Sequence, residues 1–413
     1  MSAMTPPRPE QRRRRRRLGT PCVVFLDDYR WAAFHQLAPL LRRAGVRTVR
    51  VSTGPQAGSR FASRLVYDRY EVLVDPLDAG GLGAILNEEN VVDIQFVETL
   101  GAIVRPNLRL VDAGVAQRVG QRLAVQDKFA AAHIFGDAGV RTPAVVPVTE
   151  VAPDDIATRF GFPVVVKERV GSAGANVVIA TDLDALIAAA GRMDESADNR
   201  YYEQYVDGEK LNYAAAVTGR GPEQELTYRV IRWLMPAGTA CEVQTVHDAQ
   251  LEAFGRSAVA VAGCTGLLNM DVIRDGEGRD WLIDFNARAF GGAVCFRAAG
   301  LDISEGYLRT IGNRAAPVSR AEPVAEVRFP VFPTCLGAVV ASGRIGRTAT
   351  SFVRASWPYL RWVGIRYWVS EALAIAQAVR TARRVRAHQP APTSPDAPLV
   401  RAGATGESSD TTG

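Results

Sequence analysis

The chain has 413 residues, 47% hydrophobic and 23% charged, a composition that excludes a disordered or fibrous protein and is long enough for two or three domains. Its net charge of +5 is held at the ends, +6 in residues 1–19 and +4 in 351–413, so the body is about −5 and no nucleic-acid surface is expected there. Five scattered cysteines (Cys22, Cys241, Cys264, Cys295, Cys335) without a CxxC pair, and four dispersed histidines (His35, His133, His247, His388), exclude a disulfide framework and a zinc site and fit a reducing cytoplasm.

Residues 1–19, with the run Arg12–Arg17 and no apolar partners, read as a disordered, solvated tail, with attraction to anionic lipid or nucleic acid as the alternative. No apolar stretch of signal-peptide type follows the arginines, so no secretory signal is expected. CVVFLD (22–27) has the character of a strand, a helix follows at 31–44 up to Gly45, and VRTVRVS forms a second strand. VLVD, VVDIQF and LRLVD continue the alternation, which predicts a parallel α/β layer over 20–114. No GxGxxG follows the first strand, so a dinucleotide fold has no support.

Residues 114–143 read as helical, stopping at Gly139 with Pro143 just beyond. A strand, a helix, the stretch VVVKERVGSAGANVVIA (164–180), a helix at 182–192 and the strand YYEQYV then follow. Strands dominate 211–286, with one helix at 248–262 ending before Gly263. LLNMDVIR and DWLIDFN flank a Gly- and Asp-rich turn and form the clearest hairpin. Residues 350–387 are apolar, aromatic and arginine-rich, and 388–413 are a disordered low-complexity tail. No internal repeat is visible, and no uncharged run approaches the roughly 18 residues of a membrane span.

Chemistry concentrates in the hairpin. Asp284 and Asn286 lie two apart on one strand and share a face. Asp271 joins them if the turn near Gly276–Gly278 has two or four residues, and three oxygen-bearing side chains then suit a hard Mg²⁺ ion. Arg288 follows and can meet phosphate as a fork. A solvated acidic hairpin is the plainer alternative, disfavoured because a mainly apolar strand makes an uncompensated carboxylate costly. Lys167 ends an apolar strand before Gly171, Ser172, Ala173 and Gly174. The order is the reverse of the phosphate loop GxxxxGK(S/T), in which the lysine follows the glycines. Taken alone, that stretch is no more than a turn beside a lysine.

Together these pieces resemble the ATP-grasp superfamily, in its carboxylate–amine ligase branch. Four motifs match in order over about 115–300: Asp127–Lys128, VVVKERVGSAG (164–174), EQYVDGE (203–209), and NMD with LIDFNAR (269–288). The resemblance implies α/β and α+β architecture: a pre-ATP-grasp layer (20–114), a small lobe with a glycine flap (115–200) and a large lobe with the metal hairpin (201–315). A helical segment at 316–387 would follow. It implies that Lys128 and Lys167 touch the nucleotide, that Gly171, Ser172, Ala173 and Gly174 close over its phosphates, and that Glu203, Gln204, Tyr205 and Val206 form the interlobe connector. Asp271, Asp284 and Asn286 would hold two Mg²⁺ ions, with Mn²⁺ as a substitute. The family usually has glutamate where Asp284 stands, a difference of one methylene. Its ribose-binding acid falls at Lys210, leaving Glu209 as a substitute through a register shift. Arg288 and Arg297 are candidates for phosphate and substrate carboxylate respectively, with a structural salt bridge as an equal reading of Arg297. Arg229 and Arg232 are weaker candidates, and His247 reads as structural.

The implied reaction is ligation of an amino-acid-like carboxylate to an amine with ATP, through an acylphosphate, giving ADP and phosphate. Carboxylase or carbamoyl-phosphate chemistry, or a nucleotide-binding module without turnover, are the alternatives. For residues 350–387, with Trp357, Trp362 and Trp368, two readings stay open. One is an interfacial helix making peripheral contact with the inner membrane face; the other, preferred, is a helix packed on the body or in a homodimer.

Overall fold

Three sheets organise the chain, seen in a computed structural model that describes residues 19–28, 31–53, 60–171, 177–192, 197–233, 240–312, 326–331 and 363–373. The Arg12–Arg17 run, Ser172, Ala173, Gly174, Trp357, Trp362 and the 388–413 tail lie outside the described residues.

The first sheet is parallel and ordered β3-β2-β1-β4, from β1 (Pro21–Asp27), β2 (Arg47–Ser52), β3 (Arg69–Val72) and β4 (Asn90–Phe96). Val23, Val24, Phe25 and Leu26 are buried without alternation, as a strand covered on both faces must be. The helix Ala32–Arg43 turns into β2 at Gly45, whose φ of 78° favours glycine. Two expected strands differ. VLVD begins only at the last residue of β3 and then leaves the sheet toward Pro76, with Val74 exposed. LRLVD falls largely in a 3-10 helix, Arg105–Leu110, because Pro106 has no N–H for a ladder and Asn107 donates back to the Ile103 and Ala79 carbonyls.

The long helical stretch is two helices, Ala113–Ala124 and Lys128–Asp137. Asp127 breaks it by capping the second: its carboxylate accepts from the Ala130 N–H at 3.0 Å. The same carboxylate holds Arg169 at 2.7 Å, and the Arg169 carbonyl accepts from the Lys128 N–H at 2.8 Å. Asp127 thus pins Lys128 against the strand that carries Lys167.

The small-lobe sheet is antiparallel, ordered β5-β8-β6-β7, from β5 (Val145–Pro147), β6 (Val164–Glu168), β7 (Val177–Ala180) and β8 (Arg200–Gln204). Val164, Val166 and Tyr202 pack under the helices Pro153–Phe160 and Leu183–Arg192 through Ile156, Leu186 and Ala189. By alternation Val165, Lys167 and Glu203 face the other way.

The large-lobe sheet is antiparallel, ordered β13-β12-β9-β10-β11-β14, from β9 (Glu209–Thr218), β10 (Gly221–Trp233), β11 (Ala240–Val246), β12 (Gly266–Arg274), β13 (Asp280–Asn286) and β14 (Arg328–Pro330). The stretch read as a helical C-terminal segment therefore also supplies an edge strand. One face meets the helix Ala249–Ala262, which starts at the Asp248 cap and stops at Gly263 (φ 59°). Gly255 lets the helix approach, since a Cβ there would stand 2.4 Å from the Tyr213 ring. On the opposite face Ala214 and Ala216 join one core with the helix Ile303–Thr310 and the first layer. The polar end of that same face is the site.

Candidate active site

A cavity of about 230 Å³ lies between the small-lobe sheet and the large-lobe sheet. Val165, Lys167, Val177, Ile179 and Glu203 line it from one side, and Lys210, Asn212, Asn269, Asp271, Asp284 and Asn286 from the other. Tyr205 and Val206 close the connector end, and Trp31, Lys128, Arg288 and Phe290 also border it.

The hairpin works by a route the turn length alone does not reveal. The turn spans residues 275–279, so Arg274 pairs with Asp280 and Val272 with Leu282. Continued without a break, this odd-numbered loop would set Asp271 opposite Ile283 and turn Asp284 to the helix face. A β-bulge at Ile283 shifts the register: Asp271 pairs with Asp284 and Asn269 with Asn286. Leu282 and Phe285, three apart, consequently both reach the core beneath the sheet. The bulge also presents the Ile283 carbonyl to Lys167, whose ammonium donates to it at 3.2 Å.

Charge in the cavity is tightly arranged. Lys128 donates to Asp284 at 2.8 Å and Lys167 to Glu203 at 2.6 Å. Burial resists the charge on Lys128, but Asp284 outweighs it and raises the ammonium's pKa. Burial raises Glu203, with Lys167 opposing. Burial and then the Asp284 charge push Asp271 up to about 6. Asp284, although burial opposes its charge, is held below the usual carboxylate range by Lys128 and, behind it, Lys167 and Arg288. Asp284 Oδ1 is buried with no hydrogen-bond partner, while Asp271 accepts from Asn269 at 3.2 Å. Two facing carboxylates with a bare oxygen are a donor set suited to a hard divalent cation.

Arg288 is buried and locked. It donates to Glu98 and, at 3.1 Å, to Asn286, and its guanidinium lies 4.2 Å from the Trp31 ring centre. Trp31 donates to the Ala289 carbonyl at 2.8 Å, so the first domain holds the residue that follows the hairpin.

Not every expected residue meets the cavity. Glu209 lies on the opposite face of β9, 3.7 Å from Arg229, while Lys210 turns inward; the register shift that would let Glu209 substitute does not occur, because alternation gives one of the pair to each face. Gln204 faces away from the cavity, its backbone N–H donating to the Ala144 carbonyl. Arg297 is exposed on the short helix Ala293–Ala298 and lines no part of the cavity. Gly171 borders the flap residues that lie outside the described residues. Asn212 and Asn269 are additions, and period two could have found them: Asn269 stands two before Asp271, and Asn212 two after Lys210. Trp31 and Glu98 carry no sequence signal, since they reach Arg288 only through the tertiary fold.

No family model matches the chain. Over 209 residues it is 28% identical to a D-alanine–D-alanine ligase from Gloeobacter violaceus, covering 45% of this chain and 68% of that protein. Among solved structures, N5-carboxyaminoimidazole synthetase from Staphylococcus aureus, complexed with ADP, superposes with a TM-score of 0.60 at 13% identity, covering 73% of this chain and 80% of that one. The biotin carboxylase domain of the Hydrogenobacter thermophilus 2-oxoglutarate carboxylase, with MgADP and bicarbonate, gives 0.54 at 14% identity, covering 73% and 72%. With a cleft between two antiparallel lobes and these likenesses, the chain has the ATP-grasp fold.

Proposed function

We propose that the protein is an ATP-dependent carboxylate–amine ligase. A substrate carboxylate attacks the γ-phosphate of ATP, ADP departs, and an amine then displaces phosphate from the acylphosphate to leave an amide. The observation that carries this reading is the facing pair Asp271 and Asp284, with its bare buried oxygen, set between Lys128 and Lys167 in the interlobe cavity. Such a reaction asks for positioning and charge neutralisation, not for a protein nucleophile. Asp271, Asp284 and Asn286 would hold Mg²⁺, or Mn²⁺ in its place, as two ions; when bound, they neutralise charge on the phosphates. Lys128 and Lys167 exchange their carboxylate partners for phosphate oxygens, and Tyr205 and Val206 border the base. By the family resemblance Gly171, with Ser172, Ala173 and Gly174 outside the described residues, would cover the phosphates. Arg288, fixed by Glu98 and Trp31, holds its charge at the transferring group without reorganising. The D-alanine–D-alanine ligase likeness supports an amino-acid-like acid and an amine as substrates.

The test is ADP release on mixing with ATP, Mg²⁺ and a panel of acids and amines, with mass detection of the amide. ADP release that needs both an acid and an amine supports ligation; ATP turnover with bicarbonate and no amine would replace it with the carboxylase reading favoured by the bicarbonate-bound neighbour. No ADP release under any condition would leave a binding module. A cytoplasmic location and a homodimer belong to the same reading, the second supported by the dimer of that neighbour.

A further inference from the structure

Strand β13 ends at Asn286, so the backbone of the residues that follow has no ladder to join. Ala289, next to Arg288, is buried, and its N–H and carbonyl still find partners. The N–H donates to Gln95 Oε1 at 3.0 Å, and the carbonyl accepts from the Trp31 indole at 2.8 Å. Both partners are side chains of the first domain. Glu98, three residues past Gln95, takes the Arg288 guanidinium itself. Three side chains near the carboxyl ends of β1 and β4 thus hold the head of one arginine and the backbone beside it.

Which way the Gln95 amide points is decided behind it. Its Nε2 donates to Asp93 at 2.9 Å and to the Tyr307 hydroxyl at 3.2 Å. Tyr307 in turn donates to the same Asp93 oxygen at 2.5 Å, and Arg122 donates to both Asp93 oxygens. Burial, and then the Asp93 charge, hold the proton on the Tyr307 phenol well above its ordinary range, so it stays a donor. An ionised carboxylate only accepts, so the amide must turn its nitrogen to Asp93 and its oxygen to Ala289. Asp93 and Gln95 stand on β4, Arg122 on the helix Ala113–Ala124 and Tyr307 on the helix Ile303–Thr310; all four are buried and none lines the interlobe cavity. A buried charged cluster is costly to build, and this one reaches the cavity through the bond from Gln95 to the residue beside Arg288.

We infer that Gln95 is a positioning residue: turned by the Arg122–Asp93–Tyr307 cluster, it fixes with Trp31 the backbone at Ala289, so that Arg288 keeps its place at the transferring phosphoryl group. The inference rests on the role given to Arg288 above and extends that machinery from the two lobes into the first domain. An arginine held only at its head can still swing from a loose backbone; one held at both ends has nothing left to reorganise.

Gln95→Met keeps the length of the side chain and removes the acceptor. In the full chain it is expected to lower kcat for ADP release at least about tenfold, with KM for acid and amine within about twofold. A merely structural role would also lower the melting temperature, so a double-mutant cycle decides. Added to Arg288→Met, Gln95→Met should slow turnover no further than Arg288→Met alone. A multiplicative loss, or wild-type kcat in Gln95→Met, would overturn the inference. If Gln95→Met does not fold, Trp31→Phe takes its place, since it keeps a ring over Arg288 and removes the donor to the Ala289 carbonyl; the same cycle and the same outcomes apply. Calorimetric affinities for AMP-PNP and for ADP, each with Mg²⁺, need no turnover and separate this inference from the ligase reading. Should the wild type release no ADP, that reading falls, while a ratio of the two affinities that drops at least about fivefold in both Arg288→Met and Gln95→Met upholds the positioning role. In that case an unchanged ratio in either variant overturns it.

Discussion

The two walls of the interlobe cavity handle charge in opposite ways. On the small-lobe wall Lys167 and Glu203 neutralise each other at 2.6 Å, and what Lys167 meets across the cavity is the neutral Ile283 carbonyl. On the hairpin wall two carboxylates face one another; Lys128 bonds to one, and the hydrogen-bond donor to the other is neutral Asn269. A self-paired wall can rearrange toward a phosphate only by parting its ions. A wall of facing acids gains as soon as a cation arrives. The contrast therefore separates residues that act by holding a cation from residues that act by releasing a partner.

The sharpest way to break the contrast is Asp284→Asn. The expected result is a fall in ADP release of at least about 100-fold with the circular-dichroism spectrum retained; wild-type turnover would remove the hairpin from the chemistry. Next comes Lys167→Met, which leaves Glu203 buried without its cation. It should cost about 3 kcal/mol of stability and tens of fold in turnover, measured by denaturant melts and ADP release. Adding Glu203→Gln should restore most of the stability and little of the turnover. If the double variant melts like the single one, the pair is not what stabilises that wall.

A subtler effect separates the walls by pH. Burial and the facing Asp284 charge push the Asp271 carboxyl up to about 6, so proton and metal compete for it. Below that value the proton occupies the site; above it the carboxylate is open to a cation. The Mg²⁺-induced rise in melting temperature should therefore grow between about one unit below and one unit above. A shift that stays constant or shrinks across that window would refute the assignment. The smallest effects are expected at Glu209→Ala and Arg297→Ala, which lie off the cavity and should change ADP release by no more than about twofold. A tenfold loss at Arg297 would bring that helix into the site after all.

Much of the hairpin wall was legible because a strand's period of two is a strong rule. Asp284 and Asn286 needed nothing more, and Asn269 beside Asp271 was available to the same rule. The register across the turn was not, because an odd-numbered loop and a bulge cancel each other, and Ile283 has nothing in its chemistry to mark it as the extra residue. On the small-lobe wall Lys167 was legible at the end of its apolar strand; on β9 of the large lobe, which of Glu209 and Lys210 turns inward was not, a choice set by pairing with β10 and β12. In the first domain the β1 and β2 strands read directly from their branched residues. LRLVD did not, because Pro106 and Asn107 act through hydrogen bonding that a hydropathy pattern does not register. Arg288 was visible as a candidate, whereas Glu98 and Trp31, which fix it, are about 190 and 257 positions away in sequence.

The bulge at Ile283 has a consequence for insertions and deletions. Deleting Gly276 from the turn leaves the pairs Arg274–Asp280 and Val272–Leu282, and with them the bulge, where they are; deleting Ile283 instead makes Val272–Leu282 and Asp271–Asp284 consecutive along an unbroken ladder, so the carboxylates would keep their alignment while the bulge ironed out. What such a protein would lose is the displaced Ile283 carbonyl that receives Lys167. Loss of the bulged residue is thus buffered for the acids and transmitted to the lysine. A one-residue deletion at Ile283 becomes a means of uncoupling the two walls while keeping every charged side chain in the cavity.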